Sequence, residues 1–121
     1  LSVEEVRATL AARLAGLARG ASGVTPALAE AIRDMLNRRV HPRARRTGSL
    51  GEADLAPLAG LFLVFAGEGE AEFEGSVLPG PEALRRAGIR PPPLGPKDGI
   101  ALINANSYAA GTAGLALHDL R

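Results

Sequence analysis

The chain has no cysteine, which excludes disulfides and any metal site built on thiolates. It has no tryptophan, one tyrosine and three phenylalanines among 121 residues. With so few rings, neither a thick aromatic core nor a stacking platform for single-stranded nucleic acid can be built. Long apolar runs are also missing. The longest, Leu55 to Ala66, is about a dozen residues, interrupted by Pro57 and Gly60, where a membrane span needs roughly twenty. No stretch reads as a signal peptide, no His, Asp or Glu spacing argues for a metal, and no glycine-rich nucleotide signature occurs. Charge of one sign is lacking too: 14 basic against 13 acidic residues leaves a formal net charge of +1. Whole-chain charge therefore does not predict a polyanionic partner. The expectation is a cytoplasmic protein with no metal and no nucleic-acid or membrane partner.

What is present is a chain of one domain's size at most, with 46% apolar residues and abundant alanine, a composition suited to close helix packing. Ser2 and Glu5 form a Ser-x-x-Glu capping box, and Val3, Val6, Leu10, Leu14 and Leu17 then fall on one helical face. Gly20 is placed to stop that helix. Thr25-Pro26 reads as an N-cap with proline in the first turn, followed by a stripe of Leu28, Ile32, Met35 and Leu36. From Arg38 to Gly51 periodicity vanishes and a loop is expected. Asp54 reads as the N-cap of a third helix whose buried face is Leu55, Leu58, Leu61, Phe62 and Phe65, closed by Gly67.

Glu70, Glu72 and Glu74 alternate with Ala71 and Phe73, a two-residue period that predicts a short strand pairing with Ser76 to Leu78. Pro81 opens a short helix that Gly88 closes, and Arg90-Pro91-Pro92-Pro93 must be extended. Asp98 is expected to cap a last helical region rich in alanine and glycine. Each glycine there costs about 1 kcal/mol relative to alanine, so that region needs tight packing on other helices, expected to lie elsewhere in a longer protein. The fold class predicted is mainly α with a short β-hairpin near residues 70–78. Arg38, Arg39, Arg43, Arg45, Arg46 and His41 form a basic cluster. It reads as solvated or salt-bridged loop residues, with the Glu68 to Glu74 row as candidate partners, and alternatively as a nucleic-acid or phosphate patch.

The stretch Thr47-Gly48-Ser49-Leu50-Gly51-Glu52-Ala53-Asp54-Leu55-Ala56-Pro57-Leu58-Ala59 resembles the signature of the aromatic amino-acid ammonia-lyases, the histidine and phenylalanine ammonia-lyase family. There Gly-Ser-x-Gly leads into Ala-Ser-Gly-Asp-Leu-Ala-Pro-Leu-Ala. Matching segments are Leu14 to Val24, Met35 to Pro42, Gly67 to Ala71 and Pro96 to Asn104. The resemblance covers the whole chain but only part of the family's length, so residues 1–121 are expected to be one segment of a larger ammonia-lyase-like helical domain. It implies an all-α cytoplasmic homotetramer with active sites shared between subunits. It also implies a carbon–nitrogen lyase that removes ammonia from histidine, phenylalanine or tyrosine, with a place in histidine or related aromatic amino-acid metabolism.

In that family the Ala-Ser-Gly tripeptide cyclises into the electrophilic methylideneimidazolone (MIO) group. Here only Glu52 and Ala53 stand between Gly51 and Asp54, so no MIO cofactor is expected. The Ala21-Ser22-Gly23 tripeptide lacks the following Asp-Leu-Ala-Pro-Leu and reads as a turn. Three site residues follow. Glu52 and Asp54 occupy the prosthetic-group loop, either as carboxylates for acid–base work or cation binding, or as partners of free amides at a helix start. Asn104, in Leu102-Ile103-Asn104, matches the family's substrate-side asparagine, although Ala105-Asn106-Ser107 replaces Gly-Thr-Gln. Its amide can donate to a carboxylate and accept from an amine. The alternative is a local turn cap.

The family's catalytic tyrosines come from segments outside this chain, and Tyr108 does not match them. The segment alone is therefore expected to be inactive, while the full-length parent is expected to be a lyase. A non-catalytic helical scaffold or small-molecule-binding relative is the rival reading.

Overall fold

A computed structural model describes residues 1–121. Local sequence accounts for several helix ends. Helix α1 (Val3–Ala18) starts at the capping box: the Glu5 N–H donates to Ser2 Oγ at 3.2 Å and the Ser2 N–H to Glu5 Oε2 at 2.7 Å. Gly20, at φ +79°, carries the chain out of it. Helix α2 (Pro26–Asn37) begins with Thr25 extended and Pro26 in the first turn, without a side-chain cap bond from Thr25.

Helix α3 (Leu55–Phe62) tightens into a 3₁₀ turn (Leu63–Ala66), which the left-handed Gly67 ends. Helices α4 (Gly80–Arg86), α5 (Asp98–Ile103) and α6 (Ser107–Asp119) complete a mainly helical fold. The three strands are β1 (His41–Pro42), β2 (Glu70–Phe73) and β3 (Ser76–Pro79).

The predicted hairpin is present as β2 and β3, antiparallel with Phe73 opposite Ser76. Its two-residue loop places Glu74 at φ +50° and Gly75 at φ +79°, the left-handed pair that matches strand twist. The Arg38–Gly51 segment is not wholly loop. His41 and Pro42 add an antiparallel edge to β2, opposite Glu72 and Ala71. No periodicity could reveal a two-residue strand, which exists only because β2 offers it a partner.

One apolar core joins the elements. Leu10, Leu28, Ile32, Met35, Val40, Leu58, Leu61, Val64 and Leu84 are fully buried, and the Phe62 and Phe65 rings stack at 5.9 Å. The stripes expected on α1, α2 and α3 supply most of these side chains.

The expected single C-terminal helix is instead two, α5 and α6, broken over Asn104–Asn106. Their packing also differs from expectation, because α6 lies on α1 inside this chain. A Cβ at Gly111 would stand 2.8 Å from the backbone of Ala8 and of Thr9, so the two helices approach at backbone distance.

The basic cluster is dispersed among structural tasks. Arg43 pairs with Glu70 at 3.6 Å and Arg46 with Glu5 at 2.9 Å. Arg38 Nη1 donates to the carbonyls of Ala87 and Gly88 at the end of α4. Arg7 does the same for α2, donating to Leu36 O at 3.0 Å. Cations at helix C-termini meet carbonyls that no intrahelical amide reaches.

Two expected outcomes test this packing. Gly111→Ala lowers stability by about 2 kcal/mol despite alanine's better helix propensity, because the added methyl forces α6 off α1. Gly114→Ala, where a Cβ meets nothing within 4 Å, raises stability by up to about 1 kcal/mol. Urea titration of the two variants distinguishes them by sign.

His41 supplies a pH test. Burial first, and the Arg7 charge second, hold its imidazole below the ordinary histidine value of 6.5, with Glu72 opposing. A histidine whose folded pKa is depressed stabilises the fold as the neutral base. That contribution is present above the unfolded pKa and is lost as pH falls through the folded one. Thermal midpoints are therefore expected to fall below about pH 6.5, and His41→Gln to flatten that part of the profile. An unchanged slope in the variant would remove His41 as the cause.

Candidate active site

The segment from Thr47 to Asp54 folds back onto α3. Gly48 sits at φ +98°, and a Cβ there would stand 2.5 Å from the Ala56 methyl, so only glycine permits this approach. Gly51, at φ +79°, would have nothing within 4 Å of an added Cβ and serves the left-handed turn alone. Between them the Ser49 hydroxyl donates to Asp54 Oδ1 at 2.8 Å and accepts the Gly51 N–H at 3.3 Å. The Leu50 N–H reaches Ala53 O at 3.4 Å. The Gly-Ser-x-Gly pattern is thus a hydrogen-bonded loop closed on Asp54.

Asp54 is 1% exposed and makes four bonds. Its carbonyl accepts the Leu58 N–H at 3.0 Å, which starts α3, and its own N–H donates to Ala105 O at 3.0 Å. Its Oδ1 takes the Ser49 hydroxyl, and its Oδ2 accepts the Ala109 N–H at 2.9 Å. The residue stands at the N-cap position of α3, as read from sequence, but its side chain makes no cap bond there. The carboxylate instead caps α6, where Ala109 is the third residue. A negative charge at that end also complements the helix dipole.

Asn104 lies in the break between α5 and α6. Its N–H closes α5 on Ile100 O at 2.9 Å, and the next amide, Ala105, turns back to Ile103 O at 3.0 Å. With φ −83° and ψ 74°, Asn104 is the centre of an inverse γ-turn, and its side chain is exposed. Glu52 is exposed as well. The bond from the Asp54 N–H to Ala105 O joins the two loops. Glu52 lies two residues before the donor and Asn104 one residue before the acceptor. An exposed carboxylate and an exposed amide therefore belong to two loops joined by one backbone bond at a buried aspartate.

Two further residues of this region do not stand out in the sequence as site residues. Ser49 carries a signal, as the hydroxyl of the Gly-Ser-x-Gly stretch. Arg13 does too, as a charge on the face of Val6, Leu10 and Leu17. It is 6% exposed and donates from Nη2 to Ala101 O in α5. The Ala21-Ser22-Gly23 tripeptide lies in the turn between α1 and α2, with the Lys97 amine against Gly23. No three His, Asp or Glu side chains converge as a metal site. Removing the central carboxylate by Asp54→Ala is expected to cost about 2 kcal/mol, because the Ser49 hydroxyl and a helix amide lose their acceptor together. Asp54→Asn, which keeps one carbonyl oxygen, is expected to cost about half as much in the same urea titration.

Comparison with known proteins bears on the same region. The family model described as aromatic amino acid lyase matches residues 1–121. The histidine ammonia-lyase of Gloeobacter violaceus is 51% identical over 116 residues, covering 95% of this chain and 23% of that protein. The crystal structure of histidine ammonia-lyase from Trypanosoma cruzi superposes with a TM-score of 0.91 at 30% identity, over 98% of this chain and 23% of that one. For the phenylalanine aminomutase of Pantoea agglomerans the TM-score is 0.87 at 39% identity, over 95% and 22%. The chain thus spans about a quarter of the length of the relatives it matches. With a whole-chain family match and a shared backbone course, the chain belongs to the aromatic amino acid lyase family.

Proposed function

We propose that the longer protein of which this chain forms part is a carbon–nitrogen lyase-type enzyme acting on histidine, phenylalanine or tyrosine, from a branch that works without MIO. The observation that carries the proposal is the junction at Asp54, which ties the loop bearing Glu52 to the break bearing Asn104. The residues present do not fit the prosthetic group. Its formation needs a serine to dehydrate and a glycine nitrogen to close the ring, and Glu52-Ala53 supply neither. The adjacent hydroxyl, Ser49, is held by Asp54 and Gly51.

Within this proposal the Asn104 amide binds the amino acid by donating to its carboxylate and accepting from its ammonium. By the sequence resemblance the Glu52 carboxylate takes the electrophile's place in the motif loop, and in this proposal it accepts a proton or holds the ammonium by charge. Asp54 keeps both loops in register and faces α6 rather than substrate. Residues 1–121 are one segment of the larger helical domain, and the remaining catalytic groups come from outside it. The segment alone is therefore inactive. The assembled protein is a cytoplasmic homotetramer with a small-molecule substrate and no nucleic-acid partner.

The test uses the full-length protein. Intact mass is expected to show no loss of two waters, and ultraviolet difference spectra no prosthetic-group absorbance. If either signal appears, the MIO-free reading is overturned. Glu52→Gln is expected to lower release of urocanate or cinnamate at least 100-fold, within the roughly 10²–10⁴-fold range for general acid–base groups. Amino-acid binding with no turnover in the unmodified protein would favour the rival, a small-molecule-binding relative of the family.

A further inference from the structure

Arg13 is a buried cation without a counter-ion. Its residue is 6% exposed, none of the ion pairs within this chain includes it, and its Nε finds no partner among residues 1–121. Burial alone holds its guanidinium below the usual range. Taking a charge from water is costly unless something compensates it, and the residue occupies a position on α1 where an apolar side chain would complete the stripe of Val6, Leu10 and Leu17. Gly16, one turn further on, is close enough that a Cβ there would meet Arg13 Nη1 at 3.3 Å. The sequence thus leaves room for the guanidinium.

Its one partner explains the arrangement. In a continuing helix, Ala101 O would accept the Ala105 N–H. Here the Ala105 N–H has turned back to Ile103 O, and Arg13 Nη2 takes its place on Ala101 O. A guanidinium at a helix C-terminus satisfies a free carbonyl and opposes the negative end of the helix dipole. It therefore favours the chain leaving α5 at Asn104 over α5 and α6 running on as one helix. On the other flank, Asp54 grips Ala105 O and the Ala109 N–H. The Asn104 turn is held between a buried cation from α1 and, on the motif loop, the Asp54 backbone N–H, with the Asp54 carboxylate fixing the first turn of α6.

We propose that Arg13 is a positioning residue for Asn104, acting through Ala101 O to set the α5–α6 break that presents the asparagine to an amino-acid ligand. The binding part rests on the reading of Asn104 given above. The break itself does not.

The experiment compares Arg13→Met, Arg13→Lys, Asn104→Ala and the Met/Ala double variant in the full-length protein. Two readouts are taken, amide hydrogen exchange and dissociation constants for L-histidine and L-phenylalanine. Arg13→Met is expected to speed exchange at Asn104 and Ala105 about ten-fold while Ile32 and Met35 in α2 keep their rates, the size set by one charge-assisted hydrogen bond. Arg13→Lys, which keeps a charged donor, recovers part of that protection. Ligand affinity is expected to fall about ten-fold in Arg13→Met and by no further factor when Asn104→Ala is already present.

Unchanged exchange at Ala105, or an equal rise through α2, would overturn the positioning role. So would a full ten-fold affinity loss in the Asn104→Ala background. If exchange rises locally while the protein binds neither amino acid, or while Asn104→Ala leaves affinity unaltered, the functional reading fails and the Arg13 role stands.

Discussion

One buried carboxylate holds the organisation of this chain together at the point where three segments meet. Asp54 accepts a hydroxyl from its own loop and an amide from the first turn of α6, and its N–H bonds the carbonyl just after Asn104. A charge this deep is tolerable only when several donors replace water. The three donors and acceptors come from Ser49, Ala105 and Ala109, separated by up to 60 positions in the 121-residue sequence. If that aspartate lost its partners, the loop carrying Glu52 would lose its direct hydrogen-bonded link to the turn carrying Asn104.

The rest of the helix ends are treated in a related way. α1 is capped by local sequence at its start, but the C-termini of α2, α4 and α5 receive arginines from elsewhere, Arg7, Arg38 and Arg13. Each guanidinium brings fixed donors to carbonyls that the helix cannot satisfy itself. Three of the 14 basic side chains in this near-neutral chain are thereby committed to helix ends. The approach of α6 to α1 at Gly111 is a matter of volume instead: the side chain is absent because backbone occupies its place.

Fold and site are legible in the sequence to different depths. Helix starts and stops follow from Ser2, Glu5, Pro26, Gly20 and Gly67, and the hairpin from a two-residue charge alternation, because caps and periods are local signals. β1 is invisible there, since two residues have no period and pair only where β2 presents an edge. The break at Asn104 is hidden for a comparable reason. Leu102 through Ala110 are compatible with helix, and what interrupts them is supplied by α1 and by the motif loop. Asp54 does stand at its expected helix start, yet its side chain serves a different helix, a choice that depends on where α6 is packed.

The sequence by itself determined the family, through Gly48-Ser49 and Asp54-Leu55-Ala56-Pro57-Leu58, and the mainly helical class, through apolar spacing and caps. It also determined that no serine stands between Gly51 and Asp54. The tertiary structure alone decided that Asp54, Ala105 and Ala109 meet, that Arg13 ends α5, and that Gly111 sits on α1. Local pattern dictates which backbone amides and carbonyls a helix leaves free, because that depends on neighbours within one turn. Which distant side chain satisfies them depends on how the elements pack, and packing is settled by the whole core at once.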